Sequence, residues 1–421
     1  MNETSKLVLL SAAFVCVSAV VASQVNFAQR GGGNYASSGK EDPKPLPVPA
    51  PAPAPTIPAL KLYEWGVATG TWDGTPEAED VPAFYYDCDE IPVLAPKPQP
   101  VPMPRPQPDP DPRPDQPKPR KPVIYFEADR SVTFDLDITF RAGEVTWMYP
   151  KPNRRLSAGT VQWDNIVFHP DAGLTATLPE LAKAEQGHWS EYSRLGATGS
   201  IVVNGECERF LFYEGTQTGL PEMDIFRDAR GVVVRNYTAH AFLDLRVQVT
   251  VDGTLRKWRV REVPAATGEV PGEVVLDVNQ AVDKVVDEAA LKDETRKAGL
   301  TEAQAGVFAR CWTADFSQAE SVSWRRSPAA LDDLMELKLT LPPGLGSEIR
   351  RVGYVRISHV NLAKQAEIEA LVAKAAADDK QALSQLKNPA GQNAARRAAS
   401  DSSRPLKERL KLAKVLASLS E

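Results

Sequence analysis

A carboxylate set between two aromatic rings and followed by a glycine stands early in the chain, in Tyr63-Glu64-Trp65-Gly66. Glycoside cleavage uses two carboxyl groups, one to protonate the leaving oxygen and one to attack or to activate water. Glu64 is therefore the candidate catalytic acid. Its partner would leave no linear trace, because the separation of the pair is set in space. Strand alternation offers a plainer account, with Tyr63 and Trp65 on one side of a strand and Glu64 on the other.

Glycan and peptide ligands also rest on aromatic platforms, and Trp65, Trp72, Tyr85, Tyr86 and Trp189 are the candidate ligand-binding residues. A β domain needs large rings inside it as well, so the same residues compete for core positions. Phe210 and Phe212 of Glu208–Tyr213 read as core. The pairs His169-Pro170-Asp171 and His188-Trp189-Ser190-Glu191 combine nitrogen and carboxylate donors, but their spacing imposes no site. No metal and no cofactor are expected. Of the cysteines, Cys16 lies in the N-terminal apolar run. Cys88, Cys207 and Cys311 lack metal-ligand spacing, which leaves open one disulfide with one free thiol or three unpaired thiols. The chain has no phosphate loop, dinucleotide fingerprint, nucleophile elbow or zinc-protease helix motif.

The elements that must position these residues lie mostly between Lys61 and Val263. Ser131–Phe140 alternates Val132, Phe134, Leu136, Ile138 and Phe140 with polar residues, and Leu243–Val251 does the same. A period of two with one apolar face indicates antiparallel sheet with its other side wet. Further strands are predicted at Leu62–Thr69, Val123–Glu127, Glu144–Tyr149, Thr160–Phe168, Gly199–Val203, Glu208–Tyr213, Gly231–Tyr237 and Leu255–Glu262. Asp252-Gly253 carries the pairing of a type I′ hairpin, and Asn204-Gly205 marks another turn. The expected fold is mainly β, an antiparallel sandwich or open barrel, with a C-terminal α+β unit and disordered proline-rich segments.

In that unit, residues 264–360, helical spacing begins after Asp277, Thr301 and Gln304 form a capping box, and Ser327-Pro328 opens a third helix. Strands follow at Leu337–Leu341 and Val352–Ile357. These elements stand as a small unit or pack on the sandwich as one larger domain. Residues 361–421 read as a basic tail, helical or partly disordered.

Lys6 followed by the apolar run Leu7–Ala22 has the length of a secretory segment, cleaved before Ser23 or kept as an anchor. The chain has 36 prolines, most of them in a leader within residues 23–60 and in an insertion within residues 92–122. Alternating prolines favour an extended spacer. The net charge of −6, with acids and bases nearly balanced, gives no field for nucleic acid.

The motifs Tyr63–Gly66, Lys121–Phe126 and Glu208–Gly215, with the Gly299–Phe316 segment, resemble those of a group of exported bacterial proteins. That resemblance spans about Lys61–Val360 and implies no activity and no catalytic residue. The expected function is that of an exported, non-enzymatic envelope protein, in the periplasm or at the cell surface, whose β domain binds a protein or glycan partner. One alternative is a secreted polysaccharide hydrolase or lyase, and another is a structural subunit of a surface layer or appendage. Membrane association would come through the N-terminus, and the sequence leaves homo-oligomerisation open.

Overall fold

The alternating stretches form strands. β4 (Val132–Phe140) buries Val132, Phe134, Leu136, Ile138 and Phe140 on one side, as a period of two requires. The computed structural model describes residues 60–75, 85–88, 91, 118–170, 178, 189–217, 221–282 and 286–420. The expected secretory segment, the leader before Leu60 and nearly all of the proline insertion lie outside these residues.

A nine-stranded open sheet organises the rest. From edge to edge it runs β14 (Thr254–Val263), β13 (Phe242–Val251), β16 (Ser321–Arg326), β18 (Ser347–Ser358), β1 (Leu60–Thr71), β3 (Lys118–Glu127), β10 (Leu211–Gln217), β5 (Gly143–Tyr149) and β2 (Tyr86–Asp87). Among the described pairings only β1 with β18 is parallel. The β13–β14 hairpin turns at Asp252-Gly253, both at positive φ (51° and 74°), the left-handed pair that a type I′ turn needs. A six-stranded sheet contains β17 (Met335–Thr340), β4, β7 (Thr160–Pro170), β8 (Gly199–Val203) and β9 (Glu206–Glu208), with β6 (Arg154–Ser157) beside β7. A three-stranded sheet contains β11 (Met223–Asp228), β12 (Gly231–Asn236) and β15 (Gly272–Leu276). None of the three sheets closes into a barrel. Strands of the 264–360 segment enter all three sheets, and β18 lies beside β1, the central strand of the largest.

The two smaller sheets cover one face of the large sheet, each over its own apolar cluster. Leu62, Phe126 and Leu211 meet the six-stranded sheet, while Val247, Trp324 and Val355 meet the three-stranded one. The opposite face lies under helices α1 (Trp189–Arg194), α2 (Glu288–Lys297) and α3 (Glu302–Phe316), where Trp65, Tyr125, Phe212 and Tyr354 pack on Leu291, Phe308 and Trp312. Each such ring removed from water contributes roughly 1.5–3 kcal/mol. The cap residues set where these helices begin: Asp287 accepts from Ala290 N, and Thr301 with Gln304 closes a capping box. After Asp277 a 3₁₀ turn, Val278–Gln280, forms among the described residues, and α2 starts beyond Asp287.

A short helix, α4 (Pro328–Leu334), joins β16 to β17. Ser327 caps it by accepting from Ala330 N, and Pro328 fills the first turn where no N–H is needed. Beyond β18 the basic tail forms α5 (Gln365–Ala375), α6 (Lys380–Gln385), α7 (Pro389–Ser400) and α8 (Leu406–Ser420) around Leu386, Ala395, Leu412 and Val415. This helical unit docks on the β body through named bonds. Arg397 Nη1 grips the buried Asp224 carboxylate at 2.6 and 2.7 Å, and Asn393 Nδ2 donates to Met223 O at 2.8 Å.

Candidate functional site

The parallel register of β1 and β18 sets Glu64 directly beside Arg351. Both point to the face covered by the smaller sheets, the face that Tyr213 of β10 also shares. Glu64 Oε1 accepts from the Tyr213 hydroxyl and Oε2 from Arg351 Nε. Arg351 Nη1 donates to Asp332 Oδ1 at 2.7 Å and to Met335 O at 2.9 Å. The side chains of Arg351 and Glu64 are only 4% and 6% exposed. Two charges so deep in protein lose several kcal/mol of hydration each, which close pairing must offset. Burial alone would weaken the Arg351 charge, but Glu64 more than compensates and holds its pKa above the ordinary value. Burial first, and Glu64 second, push the Tyr213 hydroxyl far above the usual phenol range. Tyr213 is thus a neutral donor to a carboxylate.

Next to this cluster the sheet has a hollow. Gly66 and Gly353 face each other across the β1–β18 pair. A Cβ on Gly66 would stand 3.0 Å from Pro122 Cα, and one on Gly353 would stand 2.4 Å from Leu331 Cδ2 of α4. Helix α4 roofs the hollow and leaves a cavity of ≈ 60 Å³, lined by Glu64, Ala68, Phe140, Tyr213, Leu331 and Met335 among others. On the other side of α4 lies a second space of ≈ 180 Å³, lined by Glu222, His240, Phe242, Ala330 and Asp333. Arg326 and Leu334 line both. Arg326 Nη2 pairs with Glu222 at 2.8 Å, and His240 Nε2 meets Asp333 Oδ2 at 2.6 Å.

The five candidate rings are divided among several places. Trp65 is fully buried beneath α3, edge-on to Phe308 at 5.4 Å. Tyr85 and Trp189 do meet, 5.7 Å apart, in a cluster where Tyr85 stacks on Phe212 at 4.4 Å; both are buried. Trp72 belongs to the cluster under the three-stranded sheet. Tyr86 is half-buried; its hydroxyl donates to Glu206, and the Lys151 ammonium lies 5.3 Å from its ring centre. His169 Nδ1 contacts Ser131 Oγ at 3.0 Å, while His188 and Asp171 lie outside the described residues. No group of three or more metal-binding side chains occurs among the described residues, and no disulfide joins Cys88, Cys207 and Cys311.

Of the predicted residues, only Glu64 lines the cavity. Nothing in the sequence pattern marks Tyr213, Arg351, Arg326, Asp332 or His240 as its neighbours. The hollow itself carries one signal: an isolated glycine inside a strand marks close approach, and both Gly66 and Gly353 sit within apolar β patterns. In comparisons with known proteins, no family model matches the chain and no curated protein is significantly similar to it.

Proposed function

We propose that the chain is an exported, non-enzymatic protein of the cell envelope that binds a protein or glycan partner through its β body. The observation that favours binding over glycoside cleavage is the engagement of both Glu64 oxygens, one by Tyr213 and one by Arg351. A catalytic acid presents its proton to a substrate, and a nucleophile presents a free oxygen. Glu64 has both oxygens committed to internal cross-links. The apolar run Leu7–Ala22 behind Lys6 supports export, and the proline-rich leader supports a body held away from its anchoring surface. The buried rings make that body rigid, and a rigid surface loses little conformational freedom when a partner docks.

The test is cross-linking in cells that produce the full chain, followed by fractionation. The expected result is recovery from the envelope fraction together with one protein or glycan species, and no fragments released from envelope polysaccharide by the purified chain. Depolymerisation that disappears in a folded Glu64→Gln variant would overturn the reading, as would an intact chain soluble inside the cell.

A further inference from the structure

We propose that the outward face of α8 is a docking surface for an anionic lipid bilayer. This does not rest on the protein or glycan partner proposed above. Helix α8 is apolar on two sides. Leu412, Val415 and Leu419 are buried in the core of the helical unit. A second stripe, Leu406, Leu410, Ala413 and Ala417, recurs every three or four residues and faces solvent. Leu406 is 63% and Leu410 47% exposed, and neither belongs to that core. The inner stripe alone fastens the helix, so the outer one is left for a second apolar surface.

The charges say which surface. At 3.6 residues per turn the four outward residues fall within an arc of about 60°, and Lys414, Lys407 and Lys411 occupy about the next 100°. All three lysines are exposed, and none pairs with a carboxylate among the described residues. Glu408, the one acid of α8, lies on the inward side and is taken by Arg404. Arg409 borders the stripe on its other flank, half-buried, with Nε donating to Ala399 O at 3.2 Å. Leucines reaching the acyl boundary, with lysines extended to the headgroup phosphates, bind an amphipathic helix to an anionic interface. Residues 361–421 hold 11 Lys and Arg against 7 Asp and Glu in a chain of net charge −6, so the rest carries −10. An anionic surface therefore repels the body and attracts the tail, which orients the approach.

Other occupants fit less well. A second copy in two-fold contact would set the same face against itself, lysines against lysines with no carboxylate between them. Helix α8 has no aromatic ring to fill a protein pocket or to stack on a nucleic-acid base.

Lysine acetylation of the full chain, read by mass spectrometry in the presence of phosphatidylglycerol or phosphatidylcholine vesicles, tests this. The run Leu7–Ala22 has no charge, so it enters both vesicles alike and cannot produce a difference at α8. Each lysine near an anionic surface favours binding about fivefold. Phosphatidylglycerol should thus protect Lys407, Lys411 and Lys414 at about a hundredfold lower concentration than phosphatidylcholine. Lys338 of β17, 63% exposed, should stay reactive with both. Leu406→Ser/Leu410→Ser, which leaves the inner stripe intact, should raise the phosphatidylglycerol needed at least about tenfold. Raising the ionic strength from about 0.05 to about 0.5 M, which needs no variant, should raise it similarly by shortening the Debye length. No protection by phosphatidylglycerol, equal protection by phosphatidylcholine, or a folded double variant that matches wild type would overturn the proposal. So would equal protection by polyglutamate or a polynucleotide, or lipid-free protection that grows with protein concentration, the mark of a second copy.

Discussion

The two faces of the large sheet carry the same three side-chain chemistries in different surroundings. On one face Glu64 joins Arg351 and Tyr213; on the other Glu294 joins Arg246 and Tyr354, with the Tyr354 hydroxyl 2.5 Å from Glu294 Oε1. Each guanidinium leaves one buried nitrogen without a partner among the described residues, Nη2 in Arg351 and Nε in Arg246. The Arg246 charge lies 5.8 Å from the ring centres of both Phe316 and Tyr354, and a second arginine, Arg259, reaches Glu294 at 3.0 Å. Rings and helix fill that space, so the cluster serves as a cross-link between α2 and the sheet. Beside Glu64 and Tyr213 a cavity is left. The contrast shows that a buried carboxylate, guanidinium and phenol do not identify a site; the unfilled space beside them does.

The largest effects come from removing the shared carboxylates. Glu294→Ala strands the buried Arg246 guanidinium and the Tyr354 phenol under α2 and should cost about 3–5 kcal/mol, the range for breaking a buried pair. Glu64→Ala should fall at the lower end of that range, because water entering the neighbouring cavity can solvate Arg351. Urea unfolding of both variants measures the difference. Equal losses would mean that the cavity gives Arg351 no relief, and the distinction between the faces would fail.

Smaller effects are expected at α4. Gly353→Ala places a Cβ 2.4 Å from Leu331 Cδ2, and displacing that side chain should cost about 1–3 kcal/mol. The backbone at Gly353 needs no left-handed conformation, so steric contact with α4 is the whole effect. A paired Gly353→Ala/Leu331→Ala variant should recover most of the loss in the same unfolding assay. Asp333→Asn breaks only the exposed contact to His240 and should cost less than about 1 kcal/mol. Hydrogen exchange should nonetheless show faster opening of Pro328–Leu334 in that variant, with β16 unchanged.

Much of this architecture was legible in the sequence, and the site was not. Period-two stretches such as Val132–Phe140 state which side is buried, and Asp252-Gly253 states where a hairpin turns; both are local facts. The capping box at Thr301 and the Ser327-Pro328 start are local too. The pairing of β1 with β18 joins residues almost three hundred positions apart, and nothing in either strand announces a parallel neighbour. Without it Glu64 reads as an isolated acid between aromatic rings, and Arg351 as one of two arginines before a valine. Ser321–Arg326, which forms β16, does not stand out in the sequence, because it alternates Val322 and Trp324 with serine over only a few residues and then ends in two arginines. The five aromatic candidates failed to assemble for a related reason: residue type cannot distinguish a ring that stacks on Phe212 from one that would stack on a sugar.

The gentlest expected effect lies away from both clusters, in the three-stranded sheet, and serves as their control. Arg230 hydrogen-bonds Asp228 and holds its carboxyl below the ordinary range, although slight burial pushes the other way. At Glu273 burial pushes the pKa up, but Arg235 and Arg230 together overrule it and the net direction is down. A carboxylate whose folded pKa is depressed binds fewer protons folded than unfolded. Its contribution is therefore complete above the ordinary carboxylate value, about 4, and disappears as pH falls through the lowered folded value. Melting temperature followed from neutral to acid should thus drop below about pH 4, and an Asp228→Asn/Glu273→Gln variant should lose part of that drop. A variant with an unchanged acid slope would place the sensitivity in other carboxylates.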